Sequence, residues 1–176
     1  MAVSGAAARD GVSFPANDVD FLNLMGDVEA PRGFDTVSGF APVPPQRPLT
    51  DMTLDEVLRY QQSIRAMGTV SSAVGRYQFI YPTLRRLVED LGIAGNLRFD
   101  AEVQTYLARF LMHDCGFYDR ATPDLQLANC LAGVWAALPL VSGPDRGQSA
   151  YASDGINIAL TTPETILDVL ARRFEW

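Results

Sequence analysis

Apolar residues recur along this chain at helical spacing in six separate windows. Phe21, Leu24, Met25 and Val28 fall at i, i+3, i+4 and i+7, the stripe of one amphipathic helix over Asp18 to Glu29. Ala30-Pro31-Arg32-Gly33 stops it, with a proline just past the end and a glycine to turn the chain. Thr53-Leu54-Asp55-Glu56 has the capping-box spacing. It opens a helix through about Ala66, with Leu54, Val57, Leu58, Gln61 and Ile64 on one side. Pro82 stands at a first helical position ahead of Leu84, Leu87, Val88 and Leu91, and Gly92 ends that run. Asp100 caps a fourth helix striped by Val103, Tyr106, Leu107, Phe110 and Leu111. Thr122-Pro123 starts a fifth through Leu127, Leu131, Val134, Trp135 and Leu138, up to Pro139. Thr162-Pro163 starts a sixth with Ile166, Leu167, Val169, Leu170 and Phe174.

Between these windows the pattern breaks. Residues 34 to 50 carry Pro42, Pro44, Pro45 and Pro48 and form a loop, with room for a short extended pair near Asp35-Thr36-Val37. Gly68 to Ile80 is a second loop, and Ser142 to Asn157 a third, rich in Gly, Ser and Asp. Residues 1 to 17 are small and polar and are read as a flexible arm. No internal repeat is present. About six helices with short or medium loops predict a single all-α domain over 18 to 176, with at most a small β-hairpin. A chain of 176 residues, 48% hydrophobic, is long enough to bury a core of its own.

Charge narrows the functional classes. Fourteen basic against twenty-one acidic residues give a net charge of -7, which argues against a nucleic-acid partner. The same balance removes electrostatic attraction to anionic lipid or to an anionic cell wall. The pairs Arg85-Arg86 and Arg172-Arg173 are read as solvated helix faces. Cys115 and Cys130 are two cysteines, not a disulfide framework, and are read as reduced, partly buried thiols. His113 is the single histidine; with Asp114 and Cys115 it would point three ways around a helix, so no metal and no cofactor is expected. The N-terminus has neither a charged n-region nor an apolar h-region, so no signal peptide is expected. No apolar run reaches the roughly 18 residues of a membrane span, so no insertion into a membrane is expected.

Two features carry chemistry. Gly75-Arg76-Tyr77-Gln78, reached through Ser71-Ser72-Ala73-Val74, sets a glycine, a guanidinium, a phenol and a carboxamide ahead of a helix. Such groups suit a long polar ligand with apolar faces and a hydroxyl rim, which describes a sugar polymer. Glu29 closes the first helix beside Met25 and Val28. The negative end of the helix dipole and apolar neighbours both disfavour its ionised form. A carboxylic acid still protonated near neutral pH is what a departing glycosidic oxygen needs. The plainer reading, an exposed glutamate at a helix end, stands beside it.

The order of Glu29, Gly33-Phe34-Asp35-Thr36-Val37, Ser71 to Gln78 and Trp135-Ala136-Ala137-Leu138-Pro139 resembles the phage-lambda-type endolysins. These are muramidase-like lytic transglycosylases of the lysozyme superfamily. The resemblance covers roughly residues 18 to 151 and is strongest from Val70 to Ile80. It implies that Glu29 is the catalytic acid/base. It further implies that this acid cleaves peptidoglycan between N-acetylmuramic acid and N-acetylglucosamine, closing a 1,6-anhydro ring. The family follows its glutamate with Gly-Thr or Gly-Ser, where this chain has Ala30-Pro31. The resemblance also implies a cleft lined by Tyr77 and Gln78, with Ser72 lending a hydroxyl. Arg76 then braces Glu29 or Asp35 or touches sugar, Trp135 serves the core or a sugar platform, and Tyr151 stands near the acid.

Alternatives stay open. If Asp35 faced Glu29, a two-carboxylate hydrolase would result. A lysozyme-fold module that binds wall glycan or serves structurally without catalysis is a second alternative, and an unrelated helical interaction domain a third. In the enzymatic reading the protein is a phage endolysin, reaching the wall by a holin-type route, or a virion or tail component delivered to the wall. In the second setting the N-terminal arm would contact other virion or tail proteins.

Overall fold

The computed structural model describes residues 14–175. Among them are six α-helices and no strand: α1 (Val19–Glu29), α2 (Leu54–Ala66), α3 (Tyr81–Leu91), α4 (Ala101–Asp114), α5 (Asp124–Val134) and α6 (Pro163–Ala171). Each lies within a window where the apolar periodicity predicts a helix. However, α5 ends at Val134, so Trp135 and Leu138 of the expected stripe fall in the extended residue and turn that follow it, and α6 ends at Ala171, before Phe174. The described residues divide into two compact units. One is Ala30–Leu107; the other combines residues 14–29 with 108–175.

In the first unit, Thr53 caps α2 through a complete capping box: its hydroxyl accepts from the Glu56 amide, and the Glu56 carboxylate accepts from the Thr53 amide. This satisfies two amide donors that a helix start leaves unpaired. Helix α2 packs on α3, which ends at Gly92 with φ 60°, a left-handed turn that glycine adopts without penalty. The core gathers Leu54, Val57, Ile64, Val74, Phe79, Leu84, Leu87 and Phe99, all buried. The expected extended pair is reduced to isolated bridges, Val37 with Val74 and Val74 with Phe79.

In the second unit, α1 and α5 both pack on α6. The rings of Phe21, Phe117 and Trp135 meet in its core, with Phe21 5.4 Å from Phe117 and 6.1 Å from Trp135. Asp18, immediately before α1, is buried at 4% exposure. It takes two bonds from Arg109, at 2.7 and 3.1 Å, and one from the Tyr118 hydroxyl at 2.8 Å. A buried carboxylate needs such partners to offset its lost hydration. Burial and the neighbouring Asp18 charge hold the Tyr118 hydroxyl well above its usual pKa.

Three expectations change here. Cys115, just past α4, and Cys130 on α5 form a disulfide with Cα atoms 5.6 Å apart, where reduced thiols were expected. Two cysteines fifteen positions apart do not show in sequence that a turn returns one to the other. Arg173 is not a solvated residue. It is 5% exposed, and its guanidinium donates to the Asp124 carboxylate, the Thr122 carbonyl and the Leu170 carbonyl. By contrast Arg85 and Arg86 are exposed, in i,i+4 pairs with Glu89 and Asp90. Of the expected flexible arm, residues 1–13 lie outside the described residues. Residues 14–17 pack: Phe14 lies 4.9 Å from the Tyr118 ring, and the Asn17 amide donates to the Arg173 carbonyl at 2.7 Å. No described helix is long and apolar enough to cross a membrane.

Candidate active site

Glu29 is the last residue of α1, so the helix carries its carboxyl to the end where backbone carbonyls face outward. The side chain is partly buried, and the Ala137 amide donates to its Oε1 at 3.2 Å. Burial pushes the carboxyl from its ordinary 4.5 up to about 7, against the opposing pull of that amide. The desolvation expected from Met25 and its apolar neighbours is therefore the dominant cause, because a carboxylate away from water loses hydration that one amide does not replace.

The Trp135–Pro139 segment approaches Glu29 through its backbone. Trp135 itself is 3% exposed and packs edge-on against Phe21. Of its two sequence readings the structure takes core packing, and the ring has no face left to offer a sugar. The turn that follows α5, closed by the Leu138 amide donating to the Trp135 carbonyl at 3.0 Å, turns the Ala137 N–H onto Glu29. Sequence reading missed Ala137, and only its place inside the Trp135–Pro139 motif could have signalled it. Tyr151 is half exposed and its hydroxyl donates to the Gly133 carbonyl at the end of α5. The Ala137 carbonyl, in turn, accepts from the Leu160 amide at 2.8 Å.

The remaining expected residues belong to the first unit, where they build a tight loop. Gly75 has φ 81°, and a Cβ there would overlap Gln104 Oε1. Gln104, fully buried, accepts from the Arg76 amide at 2.8 Å and donates to the Phe34 and Phe99 carbonyls. Tyr77 is buried between the rings of Phe34 and Phe79, with its hydroxyl 3.3 Å from that of Thr105. It is a core residue, not a cleft wall. Gln78 adopts φ 46°, and its carboxamide donates to the Gly75 carbonyl at 2.8 Å; a non-glycine residue held there marks a constrained turn. The Ser72 hydroxyl accepts from the Tyr81 amide at 3.0 Å, covering the start of α3, so it too has a structural duty. The Arg76 guanidinium lies 5.7 Å from the Phe34 ring centroid. Asp35 accepts from the Thr50 amide at 2.8 Å. Gln104 was missed because its one-residue offset from the apolar stripe of α4 looks like an ordinary polar position.

Among the described residues no group of histidine, cysteine and carboxylate side chains is arranged to hold a metal ion. No family model matches the chain, and neither a curated protein nor a solved structure matches it.

Proposed function

We propose that the protein cleaves peptidoglycan glycan strands between N-acetylmuramic acid and N-acetylglucosamine by lytic transglycosylation, with Glu29 as acid and base. One observation carries this reading: a partly buried glutamate at a helix end whose carboxyl is held near pH 7 by burial. Such a group is protonated often enough to donate and ionised readily enough to accept. The resemblance of the Glu29, Ser71-to-Gln78 and Trp135-to-Pro139 motifs to the lambda-type endolysins supports the substrate and the reaction type.

In the proposed reaction the Glu29 carboxylic acid gives its proton to the glycosidic oxygen as the bond to muramoyl C1 breaks. The muramoyl 6-hydroxyl attacks C1 and closes the 1,6-anhydro ring. Its proton passes to the Glu29 carboxylate, which restores the acid. No water is consumed, so one carboxyl suffices. The Asp35 carboxylate, which a hydrolase would need as a second group, already accepts from the Thr50 amide. Delivery as a virion or tail component, or as an endolysin through a holin-type route, belongs to this same reading.

Digestion of purified sacculi, with products read by mass spectrometry, tests the proposal. The parent is expected to release anhydromuropeptides and Glu29→Gln to release none above background. Reducing-end muramic acid would mean hydrolysis instead. Equal clearing by Glu29→Gln would remove Glu29 from the chemistry, and binding of sacculi without cleavage would leave a glycan-binding module.

A further inference from the structure

Helices α2 and α3 pack together in the first unit, and a pocket of about 360 Å³ opens where they meet. Arg65, Tyr81, Pro82, Arg85, Arg86 and Glu89 line it. That volume lies at the lower end of the roughly 300–1,000 Å³ of small-molecule sites. Three guanidiniums against one carboxylate give the lining a positive balance, on a chain whose net charge is -7. The proposed glycan cleavage assigns none of these residues a part.

The three arginines are not equivalent. Arg85 and Arg86 have partners one turn along their own helix, Glu89 at 3.1 Å and Asp90 at 3.4 Å, with all four side chains in contact with water. Such solvated pairs contribute little, so an incoming anion takes over either guanidinium at small cost. Arg65, in the last turn of α2, makes no ion pair among the described residues. Its guanidinium lies 4.8 Å from the centroid of the Tyr81 ring. The ring attracts the cation through its face and offers no oxygen to the guanidinium N–H edges. The Tyr81 hydroxyl also has no hydrogen-bond partner among the described residues. The pocket therefore gathers strong donors that are short of an acceptor.

We propose that this pocket binds a small phosphate-type anion, either free phosphate or a phosphomonoester. The planar fork of a guanidinium meets two oxygens at once. One such fork already serves both oxygens of a carboxylate. A phosphoryl group presents three or more oxygens and close to two charges near pH 7, so it engages Arg65 from α2 together with Arg85 and Arg86 from α3. Net charge sets the size of the ligand. A long polyanion would lay most of its charge along a protein of charge -7, which repels it, whereas a compact anion meets the pocket alone. Glu89 is the one opposing charge in the lining, and it limits the affinity.

Inorganic phosphate, glycerol 3-phosphate and acetate are each to be titrated into the full chain at constant ionic strength, with amide NMR shifts followed. Both phosphates are expected to give saturable shifts confined to the end of α2 and the first turns of α3, and acetate to give none. Tighter binding of the ester would mark an esterified ligand, and tighter binding of inorganic phosphate the free ion; either supports the site. Arg65→Gln is expected to weaken phosphate binding about tenfold, the lower end of what a charge-assisted hydrogen bond contributes. Arg120→Gln is expected to leave it unchanged, since Arg120 is also held over a ring, that of Phe174 at 4.3 Å, but does not line the pocket. Glu89→Gln removes the opposing charge and is expected to tighten binding by a few-fold, a gain that a misfolded variant would not show. Shifts that spread over the whole surface, that acetate reproduces, or that survive Arg65→Gln unchanged overturn the proposal. None of these readouts requires cleavage, so the site stands or falls apart from the glycan reading.

Discussion

At the scale of single residues, the raised pKa of Glu29 ties stability to pH, and the proposed chemistry with it. The unfolded carboxyl titrates near 4.5 and the folded one near 7, so the folded state holds the proton more tightly. The stabilisation this gives is complete below pH 4.5 and is lost as pH rises through 7; the difference is worth about 3 kcal/mol. Glu29→Gln keeps the group neutral at every pH. It is therefore expected to unfold like the parent at pH 4 and to be more stable by up to about 3 kcal/mol at pH 8.5, by urea unfolding at the two pH values. A variant no more stable at pH 8.5 would mean that the carboxyl is not desolvated. The proposed cleavage is expected to fall above pH 7, as the acid form is lost. Gly75 makes a separate case. Its φ of 81° and the overlap that any Cβ would make with Gln104 Oε1 combine backbone strain with a clash against a fully bonded side chain. Gly75→Ala is expected to cost about 2–4 kcal/mol, and thermal unfolding within a degree of the parent would refute it.

At the scale of elements, the helices were legible because local signals agreed with the apolar period. The Thr53 capping box, Gly92 at the end of α3 and Asp100, whose carboxylate accepts from the Val103 amide at 3.0 Å, all act where the sequence places them. What was not legible depends on residues distant in sequence. Tyr77 and Trp135 look like ligand platforms in a string of letters, because an aromatic ring suits a sugar and a core equally. Only the rings of Phe34, Phe79 and Phe21 around them decide for the core. The Ala137 amide on Glu29 spans 108 positions, and no side chain advertises it. The disulfide is a further long-range feature. It joins the turn after α4 to α5 across a separation of 15 residues, and closing a loop of that length restricts the unfolded chain by about 3 kcal/mol. Cys115→Ser with Cys130→Ser is expected to lower stability by about that amount, and reductant to shift the parent's unfolding midpoint toward that of the double variant. A midpoint indifferent to reductant would mean that the bond contributes nothing.

At the scale of the whole molecule, and on the proposed reading, net charge sets the terms on which the protein meets a wall. With -7 overall, approach to an anionic polymer is opposed at long range, and local pairs such as Arg85 with Glu89 and Arg86 with Asp90 leave little uncompensated positive charge on α3 to offset it. Enzymes that rely on positive charge to find an anionic surface lose activity as salt screens the attraction. Here the sign is reversed. The Debye length shrinks from about 30 Å at 0.01 M salt to about 8 Å at 0.15 M, so added salt removes repulsion before it touches short-range contacts. The rate of sacculus cleavage is therefore expected to rise, by a few-fold, between 0.01 M and 0.15 M salt at fixed pH. A rate that falls steadily over that interval would show that a local positive surface, and not the net charge, governs the encounter.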